Sequence, residues 1–286
     1  MTGSRDVGGF AALRAVGFEP VRPVSGTAVF LVGPGFATCR NRTLKVPETD
    51  DISVQFERHI RRVALDRMRR QCVEAGGDGV IGVELAVRPF LDGAGADGDE
   101  TLEFVATGTA VRLAGVARRR LKEKPFTAGV SAAELAKLLQ AAWMPVAVVL
   151  GVGVKVVHDR ATELEQSSVD NVELSTATKL VRATRAAARD ALGRDAGLAG
   201  AHTVIEHAAS LKVYEEACEV PRRQDSFVAT ARGVEIEPVD RIAVATMTGT
   251  ALVRLRRPIG AVGARPLSMM RLDRDRRTAV NWRQAP

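Results

Sequence analysis

The sequence predicts an α+β fold of two tandem β-α-β-β modules, each a small sheet carrying one helix. Three observations predict it. First, Ala11, Leu13, Pro20, Val21, Val24, Gly26, Val29 and Val32 reappear 125 positions later as Ala136, Leu138, Pro145, Val146, Val149, Gly151, Val154 and Val157. Second, Thr107-Gly108-Thr109-Ala110 returns as Thr248-Gly249-Thr250-Ala251, while Gly79 and Gly82 return as Gly197 and Gly200. Third, an amphipathic helical stretch stands between β-branched runs in each copy. Self-similarity of this kind sets the architecture before any local pattern does. The expected organisation is a first module over 1–117, a basic linker over 118–130, a second and diverged module over 131–260, and a basic, flexible tail over 261–286. A chain of 286 residues suits two domains of ordinary size.

Each copy opens with a short helix. Ser131 followed by Glu134 reads as a capping box, and Asp6 holds the matching place in the first copy. A strand follows, over Val21 to Val32 and over Val146 to Val157. Gly26 and Gly151 sit inside these strands, which points to a bulge or to a close backbone approach. The next helix shows Phe56, Ile60, Ala64, Met68 and Cys72 at intervals of four, with Arg58, Arg61, Arg62, Arg69 and Arg70 on other faces. Met68 and Cys72 are expected inward, Arg62 and Arg69 outward. In the second copy the stripe reads Leu174, Thr178, Val181, Ala188 and Leu192, against Arg182, Arg185 and Arg189.

Gly76-Gly77-Asp78-Gly79 ends the first long helix and launches Val80-Ile81-Gly82-Val83 as a strand. Gly197 to Ile205 plays this part less cleanly in the second copy. The last strands are expected over Leu102 to Leu113 and Ile242 to Leu255, with extra β-structure over Val213 to Val220 and Phe227 to Ile236. Leu102, Phe104 and Ala106 alternate with Val105, Val111 and Leu113, so this strand is apolar on both faces. One helix covers one face only. The other face needs a partner, and closure with further modules into a ring-like oligomer supplies one.

Charge is local. The chain carries a net +7, but residues 118–124 contribute +4 and residues 261–286 another +4. Arg118, Arg119 and Arg120 in the linker, with Arg274, Arg276 and Arg277 in the tail, are the candidate contacts to nucleic acid or to a protein partner. Aromatic residues are only 4% of the chain, too few for base-stacking platforms, so a solvated spacer is the plainer reading. The most apolar stretch, Ala142 to Val154, is interrupted by Pro145 and Gly151 and is too short to span a bilayer. Three separated cysteines without a CxxC pair fit a reducing cytoplasm.

The chemistry of a catalytic or cofactor site is absent from the pattern. No Walker A motif and no G-x-S-x-G occur, and Gly151-Val152-Gly153 leads into no helix. No catalytic residue and no cofactor is assigned. His59, His158, His202 and His207 with Cys39, Cys72 and Cys218 are the available metal donors. His202, His207 and Cys218 are the candidates, although a strand over 202–207 turns the two imidazoles to opposite sides. Structural zinc asks for closely paired Cys and His ligands.

Helix Phe56 to Cys72, the run Glu74-Ala75-Gly76-Gly77-Asp78-Gly79-Val80-Ile81-Gly82-Val83 and the box Val105-Ala106-Thr107-Gly108-Thr109-Ala110-Val111 together resemble the YbjQ family, named for heavy-metal binding. The likeness covers about 20–113 well. The second copy matches less well, with Ala196 to Ala201 degraded and Thr248 to Leu252 intact. The resemblance implies a dodecin-like β-α-β-β fold that assembles into five-fold rings. The reading that follows is a non-enzymatic, cytoplasmic scaffold or binding protein whose main partner is itself. Its expected form is five chains in two stacked five-membered rings, with like modules together. A metal-binding protein with a site between subunits, and a nucleic-acid-associated assembly working through linker and tail, are the alternatives.

Overall fold

A computed structural model describes residues 7–32, 47–90, 100–114, 124–158, 171, 173–217, 230–231, 234–235, 239–259, 269–270 and 279–280. The order of elements is α1 (Val7–Ala15), β1 (Phe18–Val32), β2 (Glu48–Thr49), α2 (Asp51–Glu74), β3 (Gly79–Pro89), β4 (Glu100–Leu113), β5 (Phe126–Thr127), α3 (Ala132–Gln140), β6 (Trp143–His158), α4 (Ser175–Leu198), β7 (Thr203–Ala217), β8 (Thr230–Ala231), β9 (Val234–Glu235), β10 (Val239–Arg254), β11 (Met269–Met270) and β12 (Ala279–Val280). The architecture is α+β, with helix, strand, helix, strand, strand in each half. Two four-stranded sheets run β1-β4-β3-β5 and β2-β6-β10-β7.

The long helices start for different reasons. Asp50 caps α2, its carboxylate accepting the Ile52 and Ser53 N–H groups at 3.1 and 3.2 Å. Ser131 and Glu134 form the expected capping box of α3. At α4 the cap position is Leu174, with no side-chain bond to the first turn. Asp6 lies outside the described residues.

Met68 and Cys72 are fully buried, as expected. The stripe of α4 departs from expectation. Its buried residues are Leu180, Thr184, Ala188, Ala191, Leu192, Asp195 and Ala196, whereas Thr178 and Val181 are half-buried. The cause is the two strand glycines. A Cβ on Gly151 meets the Ala188 carbonyl oxygen at 2.1 Å, and one on Gly153 meets that of Thr184 at 2.6 Å. The helix lies so close to the strand that only small side chains fit between. Thr184 satisfies its own hydroxyl by donating to the Leu180 carbonyl at 2.7 Å. Gly26 repeats this against α2, with 2.1 Å to the Ala64 carbonyl oxygen. Close approach is therefore the role of Gly26 and Gly151. The bulge in β1 lies earlier, between Pro20 and Arg22.

The halves interlock through their sheets. β2, just before α2 of the first half, pairs with β6 of the second, Glu48 opposite Val156 and Thr49 opposite Lys155. β5, just before α3 of the second half, pairs with β3 of the first, Gly79 opposite Phe126 and Val80 opposite Thr127. The Ala128 N–H donates to the Val80 carbonyl, and the Gly82 N–H to that of Val130. Thr127 and Ala128 are fully buried, so the end of the segment grouped by composition with the linker is core structure.

α2 lies between the sheets. Ile60, Ala64, Leu65 and Met68 share one core with Val24, Ala28 and Phe104 of the first sheet and with Val148 and Leu150 of the second. Val54 packs beside Val152, Val154 and Ile242. A second core joins α1, α3 and β5 through Leu13, Val16, Phe126, Leu135 and Leu139. The second sheet thus carries α4 on one face and α2 on the other. The equivalent face of the first sheet, at Thr27, Val29 and Leu31, is open.

Candidate functional site at the junction of the modules

Sequence alone left open what joins the two halves. In the structure the join is polar at three points. Thr127, delivered by β5, accepts the Val148 N–H at 2.8 Å and an Arg69 Nη2 hydrogen at 3.2 Å. One hydroxyl thus ties α2 to β6. Arg69 also reaches Asp66 at 2.9 Å. It is therefore turned away from its own core, as expected, but toward the other module rather than bulk water.

The second point is Asp195, in the last turn of α4. Its Oδ2 accepts the Leu150 N–H at 2.9 Å, and its Oδ1 accepts from Arg58 and Arg62 of α2. The carboxylate side chain is 8% exposed while the two arginines are 31% and 48% exposed. A buried carboxylate held by two guanidinium groups and one amide is satisfied, and the arrangement fixes α2 against α4. Arg62 is thus exposed yet engaged.

The third point is His207 on β7. Its Nε2 lies 2.6 Å from the Thr250 hydroxyl, which also accepts the Gly129 N–H at 2.8 Å. Burial holds the His207 imidazole below its ordinary value, with Glu134 opposing the shift. Glu134 is itself held below the carboxylate range by the Ser131 N–H and hydroxyl.

Gly129, Glu134 and His207 border a groove of about 1210 Å³ between α2, β4 and the open part of the second sheet, lined also by Phe56, Leu85, Phe104, Thr246 and Tyr214. Arg61 closes one side, its guanidinium 5.4 Å from the Phe104 ring centre and paired with Glu57. Two hydroxyl contacts stand at its lining: Ser53 donates its hydroxyl to the Asp50 carboxylate, and the His207 imidazole meets the Thr250 hydroxyl.

The sequence candidates scatter. His202 sits before β7, its Nδ1 accepting the Arg254 N–H at 3.2 Å, while His207 faces Thr250 and Gly129. Cys218, Arg118, Arg119, Arg120, Arg274, Arg276 and Arg277 lie outside the described residues, as does Cys39. Among the described residues no three His, Cys, Asp or Glu side chains gather as a metal site. None of the described helices is long and apolar enough to cross a membrane.

Fold and junction define a protein of paired α+β modules whose best-built site is the contact between them. Residues 53–114 match the YbjQ family, whose description reads "Putative heavy-metal-binding". The chain is also 32% identical over 152 residues to Encapsulin nanocompartment protein Rv1762c of Mycobacterium tuberculosis. That match takes in 52% of this chain and 54% of the relative, so the chain spans about half the length of the curated relative it matches.

Among the described residues of the matched segment, Cys72 and His59 do not fit a metal centre. Burial pushes the Cys72 thiol up to about 11, and its Sγ donates to the Gly79 carbonyl at 3.4 Å. Metal ligation needs the thiolate. His59 stands thirteen residues away on the same helix, roughly 20 Å along the axis at 1.5 Å per residue.

Proposed function

We propose that this chain works without catalysis, as a self-assembling scaffold or binding protein that takes part in a cytoplasmic protein nanocompartment. The observation that carries the reading is the reciprocal loan of β2 and β5, in which each module completes the other's sheet. A fold that uses its sheet edges this way is made for association. The relative's name supports the compartment setting, and the YbjQ likeness supports assembly as the work of the fold.

Challenge of the purified full chain with a chelator and with nuclease, followed by light scattering, tests this reading. The expected result is a multimer of the 30.6 kDa chain that survives both treatments. Collapse on chelation favours the metal-binding alternative with an inter-subunit site. Collapse with nuclease favours the nucleic-acid alternative.

A further inference from the structure

We infer that the contact between the two modules is repeated between chains, with α4 of one copy seated on the open face of the first sheet of a second copy. The inference rests on the self-assembly reading above and gives it an interface. The spatial equivalence is fixed by contacts. Gly26 meets Ala64 and Met68 as Gly151 meets Ala188 and Leu192. On this correspondence Val29 and Leu31 of β1 occupy the places of Val154 and Val156 in β6, and α4 occupies the place of α2.

Within the chain that face is covered. Val154 is 0% exposed, lying beside Val54 of α2. Its counterpart Val29 is 42% exposed and Leu31 is 63% exposed. Among the described residues no strand pairs with the outer edge of β1, whereas the matching edge of β6 carries β2. The segment of the second module that corresponds to β2 runs into Leu174, as β2 runs into Asp50. Glu173 and Leu174 belong to no strand.

Charge favours a second copy as the occupant. The open face presents Glu84 and Glu103, with Arg88 opposite Glu103 on β3. The outer stripe of α4 presents Arg182, Arg185 and Arg189, all exposed. Neither set forms an ion pair among the described residues. Arg185 corresponds to Arg61, which borders the groove together with Val244. Val244 is the counterpart of Glu103. Repeating the contact therefore brings Arg185 toward Glu103. The interface is more polar than the internal one, because Ser25 and Thr27 stand where the second sheet has Leu150 and Val152. First and second modules then alternate along the assembly, rather than separating into layers of like modules.

Charge reversal in the full chain tests this, read as mass in solution at tens of micromolar. Arg185→Glu and Glu103→Arg are each expected to leave monomers with unchanged circular dichroism. Combining the two in one chain is expected to restore the wild-type mass. If the wild type assembles and both single variants keep its mass, the interface is wrong while self-assembly stands. If the variants dissociate and the pairing does not rescue them, Arg185 and Glu103 do not meet and the inference fails. A monomeric wild type overturns the self-assembly reading itself.

Discussion

Gln71 and Asp195 hold equivalent places in the last turns of α2 and α4. Each accepts one backbone N–H from its neighbouring strand, Ser25 to Gln71 Oε1 at 2.9 Å and Leu150 to Asp195 Oδ2 at 2.9 Å. The shared bond fastens helix to strand in both modules. Only the aspartate adds charge, and that charge faces the arginines of the other module. Asp195→Ala leaves the Leu150 N–H unpaired and two arginines without an acceptor. The expected loss is about 2–4 kcal/mol, tempered by the exposure of the arginines. Gln71→Ala is expected to cost only about 1 kcal/mol. Urea unfolding of both variants checks this, and equal losses contradict the assigned asymmetry.

The strand glycines set how near the helices come. A methyl group at Gly26 or Gly151 meets helix backbone at 2.1 Å, where no side-chain rotation gives relief. Gly26→Ala and Gly151→Ala are each expected to destabilise by roughly 3 kcal/mol, at the upper end for overpacking. Gly193→Ala is expected to be neutral or stabilising, since a Cβ there meets nothing and alanine favours helix. Thermal unfolding ranks the three, and an innocuous Gly151→Ala removes the close-approach account.

Met68 is fully buried in the core shared by both sheets. Met68→Asp puts an unpaired charge there, at a cost of about 3–5 kcal/mol. The expected outcome is an unfolded or aggregated chain, seen by solubility and circular dichroism. A soluble variant with unchanged melting means the inward face of α2 is assigned wrongly.

His207 gives the junction a pH dependence of known sign. Its folded value lies below the ordinary 6.5 because of burial. Between the folded and unfolded values the unfolded chain binds more protons, so stability rises with pH there. The contribution is whole above about pH 6.5 and is lost as pH falls through the folded value. Facing groups are Glu134, which opposes the shift, and the Thr250 hydroxyl. His207→Gln is expected to flatten the fall in urea midpoint between pH 7.5 and 5.5. An equally steep fall in that variant places the proton elsewhere.

Much of the fold was legible because it is periodic and local. The strand and helix patterns and the match of Gly26 with Gly151 announce themselves within a few residues, whereas Gly197 lies inside α4 and does not repeat the strand start at Gly79. The stripe of α4 was read rightly at Ala188 and Leu192, but its first half missed Leu180 and Thr184, and Thr184 and Asp195 look like surface residues in sequence. They are buried only because Gly151 and Gly153 draw the helix close. β2 and β5 were invisible for a different reason: two residues have no periodicity, and the partner of Glu48 is Val156, far along the chain. The junction site was missed with them. Its one sequence signal was the alignment of Gln71 with Asp195, an unpaired-looking acid at the end of an Arg-rich helix. His202 and His207 were read as unable to converge, and the structure gives each a separate partner.

The central claim is that this fold associates through its modules. Native mass spectrometry of the unmodified full chain at micromolar concentration tests it most directly. The account predicts a dominant closed species at an integer multiple of 30.6 kDa, with five chains the number that the family resemblance favours. A single peak at 30.6 kDa contradicts it.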